Sequence, residues 1–545
     1  MADIGDTVVY AAKTVRTLDP TAPIAQAIAV RHGKVIAVGT RAEVQKQAGR
    51  DARVVDLGEA VIVPGLQDAH AHLAGLGWAL SVANLNDTRS VDEVVSRLKT
   101  AGPESYQGDW LMGRGWDQND WTSGPGAGQF PTREALDAAF PDTPVYLSRV
   151  DGHAAWVNSE ALRRARIGAW TRDPAGGRVV RDANGEPTGV LVDNAMNLVT
   201  EVLPELTDPQ LEKRLTAALK KAAEVGLTGI HDAGMDLRTF EVLQQWDLKG
   251  ALPLRVYAMA DGQGKDAERF VGRGTFKGRM LTLRAVKFLM DGALGSRGAA
   301  LHAPYSDDPG NSGLLLLTPE ELEDRARQFI ARGFQVGVHA IGDRANTLVL
   351  DVLERAMTEP STVDEPNAGR HRLEHAQILR AEELDRMKKL GVIASMQPTH
   401  ATSDMPWAEA RLGPARIQGA YAWRSVLEKE IPLAFGSDFP VEQPEPLLGL
   451  YAARTRQDPS GAPTAGWYPA QRLSGEEALH AFTTGAAYAS FAEAERGELK
   501  PGMDADFVVL SVDPVDAPAK ELLAAKVLMT VVAGRVVHHR EEMQT

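Results

Sequence analysis

Two histidines one residue apart, His70 and His72, close the stretch VPGLQDAHAHLAG, with Asp68 just upstream. Further along, Lys287 sits inside LRAVKFLMDG, His339 in GVHAIGD, Glu374 and His375 in RLEHAQ, and Asp438 in AFGSDFPV. Imidazoles and a carboxylate gathered round one point are the donor set of zinc or a similar dication. A lone histidine at a strand end is more often a hydrogen-bonded loop residue than a ligand, and a His-x-His pair by itself settles nothing. The chain has 13 histidines, so one or two near strand ends would be unremarkable. Four histidines with an aspartate, taken in order along successive strand ends, point to a metal centre.

Lys287 is the most informative member. It is flanked by Ala285, Val286, Phe288 and Leu289, and lysine is rarely buried without a partner. As an ammonium it would repel a dication. Kept neutral by burial, its amine can take up carbon dioxide and become an anionic carbamate able to bridge two metals. The alternative is a lysine salt-bridged to Asp291 or Glu374.

The elements that must carry these residues follow from hydrophobic rhythm. Strands are expected over Val61–Ala69, Thr228–Ala233, Leu254–Ala260, Leu283–Met290, Phe334–Ala340, His371–Ala376, Val392–Gln397 and Pro432–Ser437. Helices come between them. One carries Leu211, Leu215 and Leu219 on a single face and ends near Gly226, and another opens with the capping signature Thr318, Pro319, Glu321. Eight strands alternating with helices specify a TIM-type (β/α)8 barrel, whose active site lies at the carboxyl ends of the strands. No G-x-G-x-x-G turn follows any strand, which disfavours a nicotinamide-dependent oxidoreductase on a doubly wound sheet.

Both ends of the chain read differently. IAQAIAVRHGKVIAVG alternates about a turn at His32-Gly33, and KVLMTVVAGRVVHH does so at Ala533-Gly534. Residues 1–60 plus 497–545 are therefore expected to form a composite β-sandwich domain, with 61–496 as the barrel. A Gly-, Pro- and Trp-rich insertion after barrel strand one, about 80–205, would cap the site.

Composition narrows the classes. The 545 residues are 44% hydrophobic and 24% charged, with net charge −14 and no basic block, which disfavours nucleic acid as a partner. Cysteine is absent, so thiolate sites and cysteine nucleophiles are excluded. The opening MADIGDTVVYAAKTV has no signal-peptide pattern, and no apolar run approaches the ~20 residues of a membrane helix. A soluble, cytoplasmic protein without membrane attachment is expected.

VPGLQDAHAHL, VKFLMDGALGSR, VHAIGD, RLEHAQ, FGSDFPV and GELKPGMDADFVVL together resemble the amidohydrolase superfamily. More narrowly they are similar to its amidohydrolase-3 branch, which includes N-substituted formamide deformylases. The resemblance spans nearly the whole chain. It implies one or two divalent ions, zinc foremost, with His70, His72 and Asp438 on one and carboxylated Lys287 bridging to a second held by His339 and His375. It further implies hydrolysis of a C–N amide-type bond by metal-bound hydroxide, with Asp438 as general base. The substrate would be a small N-acyl or N-formyl amide with an apolar or aromatic substituent. Arg149, Asp151, His153 and Trp116 of the insertion, and Asp291 and Arg297 after strand four, are the candidate substrate contacts. Esters, carbamates or cyclic amides are the alternative substrates, a non-catalytic metal-binding barrel is the rival class, and a homodimer is a possible assembly.

Overall fold

A computed structural model describes residues 7–121, 128–357 and 368–540. Eight parallel strands are hydrogen-bonded in chain order: Leu66–Ala71, Leu227–Met235, Arg255–Asp261, Leu281–Leu289, Gln335–Ala340, Arg372–His375, Ile393–Met396 and Leu433–Phe435. Helices Asp208–Glu224 and Pro319–Ile330 pack on the outside through the faces the sequence marks, with Leu211, Leu215 and Leu219 buried on the first. Thr318 and Glu321 form the reciprocal capping box at the start of the second, satisfying amide groups the helix cannot pair itself.

The first and eighth strands meet at a seam that nearly closes the barrel. The Asp438 amide donates to His70 O at 2.7 Å and the His72 amide to Phe439 O at 2.9 Å. Asp68 accepts Ser437 Oγ at 2.5 Å and the His70 amide at 3.1 Å. The approach is so close that a Cβ on Gly436 would stand 2.4 Å from Asp68 Oδ1, which excludes any larger residue there.

The expected strand Val61–Ala69 is in fact two. Val61–Pro64 pairs antiparallel with Phe507–Leu510 in the terminal sheet, and Leu66–Ala71 enters the barrel. They part at Gly65, where a Cβ would fall 2.3 Å from Thr228 Oγ1. An unbroken apolar run conceals this change of sheet, because both halves are buried on both faces.

Strands from both ends of the chain share one sheet, hydrogen-bonded in the order Lys34–Gly39, Ile24–Arg31, Val8–Arg16, Val61–Pro64, Phe507–Leu510, Val527–Val532 and Arg535–His539, with Arg53–Asp56 also on Val8–Arg16. Where a two-sheet sandwich is expected, the structure thus has a single mixed sheet. Alternate residues serve its two faces: Tyr10, Ile28 and Phe507 pack on one, while Val9, Ala29 and Ala37 pack on the other with Val44 of helix Arg41–Ala48. The turns at His32-Gly33 and Ala533-Gly534 have positive φ at both residues, the geometry of a tight hairpin.

Between the first two barrel strands lies a separate seven-stranded sheet, from Ala83–Asn84 to Pro187–Asp193. Its core includes Trp116, Trp121 and Trp156, each pair of rings 6.1 Å apart. No described helix is long and apolar enough to cross a membrane.

Candidate metal centre

The barrel brings the six metal-site candidates together at the carboxyl ends of its strands. The rings of His70 and His72 are 5.5 Å apart, those of His70 and His375 4.8 Å, and those of His339 and His375 4.5 Å. Lys287 Nζ stands 3.3 Å from His70 Nε2. Asp438 Oδ1 lies 3.0 Å from His72 Nε2 and 3.7 Å from His70 Nε2. His375 and Asp438 both have positive φ, a conformation held at a cost and frequent at functional sites.

Neighbouring groups aim the imidazoles. Glu374 Oε2 holds His70 Nδ1 at 2.5 Å, and Gln397 Oε1 holds His375 Nδ1 at 2.8 Å. His339 Nε2 faces Gly292 O at 3.5 Å. In His70 the Nδ1 is held by Glu374 and the Nε2 turns to Lys287 and Asp438, the arrangement by which outer partners orient metal-binding histidines. Burial lowers the pKa of His70 to about 4 and those of His339 and His375 well below the ordinary value, so these rings are neutral and carry a free lone pair. Burial opposes ionisation of Asp438, but the histidines around it hold its carboxyl well below the usual range.

This donor set fits a divalent cation. Asp438 Oδ1 is buried without a hydrogen-bond partner, a costly state that a cation would relieve. One ligand atom from each of His70, His72 and Asp438 lies within 4.8 Å of the others, and the same holds for His375, His400 and Asp438. Lys287 is 3% exposed, and no carboxylate stands within ion-pair distance of it among the described residues, so the expected alternative of a salt bridge to Asp291 or Glu374 is not found. Burial lowers its pKa, favouring the amine.

His400 is a member the sequence reading passed over. It sits on the helix Pro398–Asp404 after the seventh strand, stacked 5.8 Å from His375. Its Nε2 reaches Asp438 Oδ2 at 3.3 Å and its Nδ1 reaches Glu442 Oε1 at 3.0 Å. Burial works to lower its pKa, yet these carboxylates raise it to about 10. The strand-end rule used for the other ligands would have found it, since it follows Met396, the end of the seventh strand, by one turn.

The substrate candidates divide. Arg149, Asp151 and His153 line the cavity over the centre. Arg149 is bound by Asp117 and Asp151 and donates to Gln118 Oε1 at 2.9 Å. His153 Nδ1 meets Asp193 Oδ1 at 2.6 Å; burial opposes its protonation, but Asp193 carries its pKa up to about 9. The other three are not brought to the cavity. Asp291 is wholly buried and accepts the amides of Ala300, Ile341 and Gly342 at 2.8 to 3.0 Å, so it binds loop to loop. Arg297 is engaged by Asp307 at 3.1 Å. Trp116 is wholly buried in the core of the insertion and donates to Leu147 O at 2.9 Å.

Fold and site define a β/α-barrel protein with an imidazole–carboxylate centre at its strand ends. Residues 53–538 match the Amidohydrolase family, and the chain belongs to it. It is 34% identical over 525 residues to YtcJ of Bacillus subtilis (strain 168), an amidohydrolase by provisional assignment, covering 94% of this chain and 96% of that one. It is 30% identical to the N-substituted formamide deformylase of Arthrobacter pascens, covering 96% of this chain and 97% of the relative. An uncharacterized metal-dependent hydrolase from Pyrococcus horikoshii OT3 superposes with a TM-score of 0.75 at 29% identity, over 94% of this chain and 99% of that one.

Proposed function

We propose that the chain is a metal-dependent hydrolase that cleaves the C–N bond of an N-acyl or N-formyl amide. The observation that carries the reading is Asp438, whose Oδ1 is buried without a hydrogen bond, 3.0 Å from His72 Nε2 and 3.7 Å from His70 Nε2, while Oδ2 meets His400. The amide class draws support from the formamide deformylase relative.

His70, His72 and Asp438 would hold one divalent ion, zinc foremost, and Lys287, carboxylated on Nζ, would share a second with His339 and His375. When bound, such an ion lowers the pKa of a water and polarises the scissile carbonyl. Asp438 takes a proton from the attacking water and passes it to the departing nitrogen. The water oxygen stays on the acyl carbon, the C–N bond breaks, and the amine leaves with that proton. Glu374 fixes His70, and His400 keeps one Asp438 oxygen in place so that the other faces the reaction. The charged His153 donates from the insertion side to oxygen that gains negative charge. Esters, carbamates and cyclic amides offer the same polarised carbonyl and are the second substrate class.

The test is elemental analysis of purified protein paired with an amide and ester hydrolysis screen. Stoichiometric zinc or another dication with amide turnover is expected. Metal-free protein inactive on the whole panel would refute the proposal.

A further inference from the structure

The cavity leading to the centre is lined by more carboxylates than cations. Asp117, Asp120, Asp151, Asp404 and Glu442 face it beside Asp438, and Arg149 is the one arginine among its lining residues. Arg149 is consumed by Asp117 and Asp151, the charged His153 by Asp193, and His400 is shared between Asp438 and Glu442. Asp404 receives neutral donors, Tyr421 Oη at 2.6 Å and Gln377 Nε2 at 3.4 Å, both on Oδ2. Among the described residues, neither Asp404 nor Asp120 has a lysine, arginine or histidine at ion-pair distance. Burial raises the Asp404 pKa to about 7 against the opposing pull of the His400 charge and the Tyr421 hydrogen bond, with Glu442 and Asp117 adding to the rise.

These outer carboxylates are not arranged for a metal ion. The groupings close enough to share one, among the described residues, are His70, His72, Asp438 and His375, His400, Asp438. What they suit is an organic cation. Trp407, whose amide donates to Asp404 O at 3.0 Å, adds an aromatic ring to the same wall. That ring already attracts the Arg411 guanidinium, 5.4 Å from its centroid, and carboxylate with aromatic ring is a favoured setting for ammonium and guanidinium groups. Asp438, His339 and His375 of the centre line this same cavity, which ties the acidic wall to the reacting end.

We infer that the substrate is an amide whose substituent ends in a cationic group, an ammonium or guanidinium, seated between Asp404, Glu442 and Trp407. This rests on the proposed amide hydrolysis and replaces the apolar or aromatic substituent that the family resemblance implies. Asp404 follows His400 by one helical turn, a rise of about 6 Å, and His400 touches Asp438. At about 1.2 Å of reach per bond in an extended chain, the cation stands roughly five or six bonds from the scissile carbonyl. An acylated diamine has this form.

Three acetamides of matched length test the inference: N-acetyl-1,4-diaminobutane, its neutral isostere N-pentylacetamide, and the anionic N-acetyl-4-aminobutanoate. With metal-loaded protein, kcat/KM for the cationic amide is expected to exceed that of the neutral one at least tenfold and that of the anion at least a hundredfold. Asp404→Asn should shrink the cationic-to-neutral ratio at least fivefold. Equal or inverted preference, or a ratio that Asp404→Asn leaves intact, would overturn the inference while leaving amide hydrolysis standing. If no amide is cleaved, the hydrolytic reading fails, and calorimetric titration of the same compounds decides the inference separately. At least tenfold tighter binding of the cation supports the acidic wall as its site, and equal affinity removes it.

Discussion

Glu374→Gln isolates the outermost support of the metal centre. Glu374 Oε1 lies 2.7 Å from Arg372 Nε in an ion pair wholly shielded from solvent, while Oε2 accepts Arg372 Nη2 at 3.1 Å and holds His70 Nδ1 at 2.5 Å. Burial resists ionisation, but Arg372 and His70 hold the Glu374 carboxyl far below the ordinary range, so the group is an anion at every working pH. The amide keeps the shape and removes the charge. Removing one partner of a buried ion pair costs about 3–5 kcal/mol because the other charge is stranded. The lower figure corresponds to a fall of about 3 °C in melting temperature for a chain of this size. Loss of an outer partner to a metal-binding histidine weakens metal affinity by roughly 10- to 100-fold. Zinc competition against a chromophoric chelator measures the affinity, and scanning calorimetry of the metal-free protein measures the stability without the ion. A variant that binds zinc within twofold of the parent would refute the claim that Glu374 orients His70, whatever its melting temperature.

Asp438→Asn is expected to keep at least one metal ion by elemental analysis while losing turnover by about 100-fold or more, the scale of a general acid–base group; full activity would reject its role as base. Lys287→Ala should cut metal content or activity sharply. Lys287→Arg should not restore it, and an active arginine variant would rule out a carbamate bridge. His371 accepts the Val336 amide at 2.9 Å, and burial lowers its pKa from 6.5 to about 4. The native state therefore binds fewer protons than the unfolded chain between those values, so His371 costs stability as pH falls through that window. His371→Asn, whose oxygen can take the same amide, should flatten the decline in melting temperature from pH 6.5 to 4; an unchanged slope would discard His371 as its source.

The barrel and the clustering of its strand-end candidates were legible because both leave local marks. Parallel strands buried on both faces read as short apolar runs, and the residues just past them are where polar side chains gather. The division at Gly65 had one local mark, the Pro64-Gly65 pair, but no polar residue interrupts VIVPGL where the chain changes sheets. His400 lies one turn past its strand, within reach of the strand-end rule, but its contacts to Asp438 and Glu442 depend on the loop after the eighth strand, which only the fold places. Trp116 and Arg297 have residue types that suit substrate, yet their partners, Leu147 O and Asp307, become visible only with tertiary structure. Charge along the sequence is evenly spread, so the acidic wall arises from folding, which draws Asp117 of the insertion towards Asp404 and Glu442.

The seam between the first and eighth strands makes the centre a record of how far assembly has gone. Asp68 and Ser437 are 369 residues apart in the chain, and closing a contact of such range is slow relative to local structure. His70 and His72 emerge early in synthesis, but Asp438 reaches them only after seven strands are in place. An ion held by all three would act as a clasp on the finished ring, bound weakly by any shorter nascent chain and firmly once the circle closes. Metal uptake would then report completion of the barrel, and withdrawal of the ion would loosen the last-formed junction first.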